Sequence, residues 1–172
     1  MKKITTLIVF LIFNTLMFSQ EKDSLLIVGK WKVVSIETHN YKYNSLTDSF
    51  SWSEDFEKIL PKLIKDTIFK NAEEAIEDTK KKTLGDTFIF QNDGVYFRKQ
   101  GNQTLRKGIY NIDFSEKIIH FKDKDKPEYS MEYFFNEGFL YLNIKFGTVK
   151  INSKPPTLKP TKFILKRTQE SE

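Results

Sequence analysis

Beyond position 82 the apolar side chains return at every second residue. Phe88 and Phe90 alternate with Thr87 and Ile89, and Tyr96 alternates with Val95 and Phe97. Tyr129, Met131, Tyr133 and Phe135 share one phase, and Phe139, Tyr141 and Asn143 oppose Leu140, Leu142, Ile144 and Phe146. A period of two puts successive side chains on opposite faces of an extended strand. Turn formers punctuate the runs at Asn92-Asp93-Gly94, Gly101-Asn102, 113–116, 122–127 and Asn136-Glu137-Gly138. Such short links join antiparallel neighbours, because a parallel pair needs a crossover of about a dozen residues. An earlier run, 30–38, has the β-branched content of a strand, and 161–167 supplies a last one. The pattern predicts about eight strands, at 30–38, 84–91, 94–100, 104–112, 117–122, 129–136, 139–147 and 161–167. Between the first and second of these, 39–51 reads as a polar stretch in which Tyr41 and Tyr43 are scattered, and 153–160 reads as a Pro-rich loop.

The period changes over 51–82. Phe56, Ile59, Leu60, Leu63 and Ile64 recur at helical spacing, and Ile68, Ala72, Ala75 and Ile76 extend the stripe. Ser51 to Glu54 has the spacing of a capping box, and Ser53 stands ahead of Glu57. Pro61 removes an amide donor and crowds the preceding turn, so the pattern predicts a kink there or a second helix starting at Pro61. The stripe is expected to pack on the body of the protein, because its polar face mixes Glu and Asp with Lys and is poorly suited to an anionic bilayer.

Eight antiparallel strands suffice to close an up-and-down barrel, which removes exposed edges and encloses an interior either filled by side chains or open to one small ligand. A two-sheet sandwich fits the same periodicity. Gly29-Lys30-Trp31 at the start of the first strand resembles the G-x-W opening of lipocalins and the looser bacterial lipocalin-like domains. The Phe88 to Tyr96 segment with its Asp93-Gly94 turn, Gly108-Ile109-Tyr110, and the closing Phe163-Ile164-Leu165-Lys166-Arg167 resemble the rest of that pattern. The resemblance implies a mainly β, lipocalin-like antiparallel barrel over 20–172 with a helical insertion at 51–82. It also implies that Trp31 lies near the closed end, with Arg167 stacked across it. The chain departs from the animal family in having no Cys and in carrying helical residues between the first two predicted strands.

The N-terminus changes the picture of where such a domain works. Lys2 and Lys3 precede the apolar run 7–13, Asn14 and Thr15 interrupt it, and Ser19-Gln20 follows 16–18. A basic start, a short apolar stretch and a small residue before polar sequence form the three parts of a secretory signal peptide, here expected to span 1–19. The run is too interrupted to be a membrane span of about 20 residues, so export to the periplasm or beyond is expected, with no integral membrane segment after cleavage. The formal charge is +5, and Lys2 and Lys3 contribute two of it, leaving +3 for the remainder. Along the chain the charges look interspersed. The one dense run, Lys80-Lys81-Lys82 behind Glu77 and Asp78, suits a helix C-terminus, and no nucleic-acid partner is expected.

Candidate chemistry is sparse. His39 and His120 lack motif-spaced partners for zinc, and Glu73, Glu74, Glu77 and Asp78 read as a solvated helix face. Asp123-Lys124-Asp125 lacks the spacing of a calcium loop, there is no G-x-S-x-G, and neither catalysis nor a cofactor is expected. What is abundant is aromatic surface: 16 Phe, 7 Tyr and 2 Trp. Tyrosine combines an apolar body with a polar tip, as a pocket for an amphipathic molecule requires. The leading expectation is therefore a binding domain for a small hydrophobic or amphipathic molecule, a lipid for example, lined by Tyr96, Tyr110, Tyr133, Tyr141 and Phe146. The alternative is a filled barrel acting through its outside on an envelope protein, favoured if Phe56, Leu60 and Leu63 plug the interior.

Overall fold

The computed structural model describes residues 26–66, 68–124, 127–145 and 161–168. The leader segment 1–19, Phe146 and the Pro-rich loop at 153–160 lie outside the described residues.

Ten strands form one antiparallel sheet. They are β1 (Gly29–Glu37), β2 (Tyr41–Asn44), β3 (Ser49–Trp52), β4 (Asp86–Phe90), β5 (Val95–Gln100), β6 (Gln103–Asp113), β7 (Ile118–Asp123), β8 (Tyr129–Asn136), β9 (Phe139–Lys145) and β10 (Lys162–Arg167). Helices α1 (Glu54–Lys65) and α2 (Ala72–Leu84) lie between β3 and β4. From β4 to β10 each strand pairs with the next, and β10 returns to pair with β1, so eight strands close a barrel. The expected barrel is the observed one. Closure pairs the first of these eight strands with the last, where a sandwich would leave both as edges, and β3, paired with β2 alone, ends the sheet as an edge strand.

The hairpin β2–β3 lies in the stretch read from sequence as merely polar. β1 is long enough to have two partners on one side: Gly29 to Lys32 face β4, and Ser35 to Glu37 face β2. Tyr41 and Tyr43 of β2 stand opposite Trp52 and Phe50 of β3, and these rings pack together. Four-residue strands rich in Ser, Lys and Asn carry too little alternation to announce themselves. Tertiary pairing with β1, not propensity, makes them strands.

Ser53 caps α1, its hydroxyl accepting from the Phe56 amide at 3.2 Å, and Asn71 caps α2 by accepting from Glu74 at 2.8 Å. Of the two alternatives at Pro61, a second helix starting there is not what forms: α1 runs through Pro61 and the second helix starts at Ala72. Pro61 is exposed, as is Glu57 one turn earlier, so the carbonyl that loses its amide partner stands on the water side, where the loss is least costly.

The core is the barrel interior. Trp31, Val33, Phe88, Phe90, Tyr96, Ile119, Phe121, Met131, Tyr133, Leu140, Leu142, Phe163 and Leu165 are all buried and belong to one cluster. The helices add little to it. Phe56 stacks on Trp52 with ring centroids 4.5 Å apart, Leu60 is buried and Leu63 is half-buried, and none of Phe56, Leu60 and Leu63 belongs to the core cluster.

Candidate functional site

The barrel has two different ends. At the end where β1 begins, Trp31 donates its indole N–H to the Ile27 carbonyl at 2.7 Å and packs on Phe135 at 6.0 Å. Trp31 and Arg167 are register partners on β1 and β10, and the guanidinium lies 5.7 Å from the indole ring. The same Arg167 donates to the Val28 carbonyl at 2.7 Å. Gly29 beside it has φ +135°, and a Cβ there would come within 3.1 Å of the guanidinium. Glycine thus serves both the backbone angle and the approach of Arg167.

At the opposite end, where β4 begins and β7 finishes, the interior becomes ionic. Trp31, Phe88, Arg98 and Arg106 are successive register partners across β1, β4, β5 and β6, so both arginines share the inward phase of Phe88. Arg98 donates from Nε and Nη2 to the two Asp86 oxygens at 3.1 and 2.5 Å, and lies over the rings of Phe88 and Phe163. Arg106 donates to Asp123 at 3.0 Å and lies 4.9 Å from the Tyr129 ring centroid. The Tyr96 hydroxyl donates to the other Asp123 oxygen and shares a 3.1 Å bond with Tyr129. The aspartate side chains are only 4% and 5% exposed, whereas Arg98 and Arg106 keep 22% and 33%. Two positive and two negative groups cancel, and each buried carboxylate is met by its own guanidinium, as burial of charge requires. Burial drives the phenol of Tyr96 far above the ordinary tyrosine range, and its bond to Asp123 acts in the same direction. Burial also raises Tyr129, and raises Tyr41, which bonds Thr83 of α2 beside this cluster. These tyrosines stay neutral and serve as hydrogen-bonding struts.

Of the residues chosen from sequence as pocket lining, Tyr96, Tyr110 and Tyr133 lie in or against the barrel core and Tyr141 faces outward. Tyr96 and Tyr133 are buried in the core at 0% and 2% exposure. Tyr110 is half-buried, packs edge-on against Phe90 and donates to the Gln91 carbonyl at 2.8 Å, next to the β4–β5 turn. Tyr141 stacks on Phe134 at 4.4 Å, on the wall opposite to the buried Leu140 and Leu142, and so faces outward. The two histidines are also apart: His39 is in the β1–β2 turn, and His120 faces outward to bond Ser130 at 2.8 Å. Among the described residues no three His, Asp or Glu side chains gather as metal ligands.

Sequence reading also missed the distribution of charge on the outer wall. Register pairing assembles three rows across β10, β1, β4, β5, β6 and β7. One is Val95, Ile109 and Lys122; the next is Lys30, Ile89, Phe97 and Lys107; the third is Lys166, Lys32, Thr87, Lys99 and Thr104. None of these outward positions is a carboxylate. Lys99 and Lys107 rest their ammonium groups over Phe97 at 5.8 and 5.3 Å. Ile109 is 57% exposed and forms, with Val95, Gly108, Lys107, Lys122, Asp123 and Lys124, the wall of a shallow outer cleft of about 720 Å³. Among the described residues the carboxylates at this face are Asp123, which lines the cleft and is held by Arg106, Glu128, which reaches Lys122 at 2.9 Å, and Asp93 in the β4–β5 turn. The signal was present in the alternation itself: on β1 and β5 lysines occupy the outward phase, a pattern that a count along the chain averages away.

No protein-family model matches the chain, and no curated protein matches it. Among solved structures it is similar to the crystal structure of a DUF4847 family protein from Bacteroides vulgatus, with a TM-score of 0.47 and 14% identity, over 86% of this chain and 98% of that one.

Proposed function

We propose that this chain is a non-catalytic envelope module, exported by its N-terminal leader to the periplasm or beyond, whose lipocalin-like barrel is filled and which therefore acts through its outer surface. The observation that carries this reading is the occupancy of the barrel. Trp31 and the partly buried Phe135 pack at one end, Phe90, Phe121 and Tyr96 contact one another in the middle, and the partly buried Tyr129 stacks on Phe121 under Arg106 at the other, all in or against one core cluster. A carrier instead needs an interior of about 300 Å³ or more lined by apolar groups. Native mass spectrometry after gentle purification tests the reading, followed by titration with apolar fluorescent probes and fatty acids. The expected result is the bare polypeptide mass and no saturable uptake. A stoichiometric retained small molecule overturns it.

One observation favours a second reading, uptake of a small amphipathic molecule. The guanidiniums of Arg98 and Arg106 remain partly accessible beside Tyr129 at the ionic end, a place where a polar headgroup would find donors. Saturable binding lost in Arg106→Met but kept in a variant of the outer wall would identify that reading as the correct one.

A further inference from the structure

We infer that the wall formed by β10, β1, β4, β5 and β6 is a docking face for an anionic phospholipid surface. The inference rests on the outward-acting reading and names the surface and the partner. Lys30, Lys32, Lys99, Lys107 and Lys166 surround Ile89, Val95, Phe97 and Ile109, and among the described residues none of these five lysines forms an ion pair. Elsewhere lysines pair readily, as Lys80 does with Asp48 at 2.9 Å and Lys82 with Asp78 at 2.6 Å. On this wall the positive charge is left uncompensated.

The kind of cation and the shape of the face select the partner. Every cation in the three rows is lysine, a flexible point charge, whereas the described arginines Arg98 and Arg106 are held inside the barrel and Arg167 lies over Trp31 at its end. Specific protein interfaces enrich arginine, tyrosine and tryptophan and deplete lysine. Recognition of nucleic acid calls on arginine forks and on aromatic faces open for stacking, and the one ring in these rows, Phe97, is half-buried under two ammonium groups. A bilayer presents fluid phosphates that need no fixed geometry, above an acyl region that accepts exposed aliphatic side chains. Ile109, at 57% exposure, and the half-buried Val95 are such side chains, and lysine stems can lie along apolar surface while their ammoniums reach headgroups. The face lacks an inserted helix or deep wedge, so docking is peripheral and salt-sensitive.

Co-sedimentation with vesicles of equal parts phosphatidylglycerol and phosphatidylcholine tests the inference, against phosphatidylcholine alone and across a salt series. The full chain is expected to bind the anionic vesicles, release as salt rises, and ignore the neutral ones. Each lysine near such a surface changes partitioning about fivefold, so Lys30→Gln/Lys99→Gln/Lys107→Gln together should weaken it about 100-fold. The control Lys58→Gln/Lys62→Gln/Lys65→Gln removes equal charge from α1 and should change it little, with circular dichroism verifying that both variants fold. Equal loss in the two triple variants, equal binding to neutral vesicles, or binding confined to a soluble acidic polymer such as polyglutamate would each overturn the inference. An occupied barrel by mass spectrometry would defeat the filled-barrel reading while leaving a positive vesicle result standing, so the two fail separately.

Discussion

Replacing Arg106 with methionine leaves Asp123, among the described residues, with the Tyr96 hydroxyl as its remaining side-chain partner, in a site where the carboxylate is 5% exposed. Breaking a buried ion pair from one side costs about 3–5 kcal/mol, most of it the penalty of a stranded charge. Arg106 keeps 33% of its side chain in water, so the pair is not fully desolvated and the expected loss is about 3 kcal/mol, near the low end of that range. Loss of the cation over Tyr129 is contained in this figure. Asp123→Leu should cost less, about 2 kcal/mol, because the partly exposed guanidinium can swing to solvent while only the Tyr96 hydroxyl stays behind. The double variant removes both charges and should lie within about 1–2 kcal/mol of the parent, since a neutral pair of similar volume is often tolerated. Urea unfolding followed by tryptophan fluorescence and far-ultraviolet circular dichroism, with the slope m unchanged between variants, supplies the cycle. If Arg106→Met costs under about 1 kcal/mol, or if the two single losses add in the double variant, the ionic end is not the self-satisfied filling described above.

The inner-phase glycine of β6 sets a second expectation: a Cβ at Gly108 would fall 2.3 Å from the Lys122 carbonyl oxygen, so Gly108→Ala should lower stability by about 1–3 kcal/mol in the same urea assay. Alkaline pH should unfold the protein from about 10 upward. Burial raises Tyr96, Tyr129, Tyr41 and Tyr110, so above the unfolded value of 10.0 the unfolded chain sheds phenolic protons that the fold retains. Each such tyrosine then subtracts up to about 1.4 kcal/mol per pH unit, and absorbance of phenolate should rise cooperatively with loss of circular dichroism instead of preceding it. Arg167→Leu removes the cation over Trp31 and the bond to Val28, and should cost about 0.5–2 kcal/mol while shifting tryptophan emission.

The barrel was legible because its strands are long enough for period two to repeat and because its turns carry Gly or Asn-Asp-Gly at the required places; Gly94 has φ +78° and Gly138 +80°. The resemblance also put Trp31 and Arg167 at one end, where they meet. The β2–β3 hairpin was not legible, since four residues give two side chains per face and the strength of the pairing comes from β1. Nor were the ion pairs. Asp86 and Arg98, or Arg106 and Asp123, are 12 and 17 positions apart, and nothing in local spacing marks an inward arginine whose partner is on another strand. Tyr141 parts from Tyr96, Tyr110 and Tyr133 because phase within a strand distinguishes two faces but not which one is inside, and across the β8–β9 hairpin Tyr133 has the inner phase and Tyr141 the outer.

Inside and outside obey different electrostatic constraints, and the contrast bears on what the molecule does. Within the barrel both described aspartates have an arginine partner, because an unpaired ion there would cost about 3–5 kcal/mol, a large share of a net stability of about 5–15 kcal/mol. On the outer wall water solvates lysine at little cost, so folding does not dictate whether cations scatter or gather. The absence of carboxylates from the rows of β1, β4, β5 and β6 therefore lies outside what stability demands. Single-sign surface charge raises self-repulsion, offset within the fold by the contacts of Lys99 and Lys107 with Phe97, whereas it raises the local concentration of an anionic partner and speeds encounter. A variant with Glu at Lys32 and Lys99 should consequently fold at least as stably as the parent, within about 0.5 kcal/mol, while losing the anionic-vesicle binding. If the substitutions destabilised the barrel by more than 1 kcal/mol, the lysines would have a structural duty and the separation between filling and face would not hold.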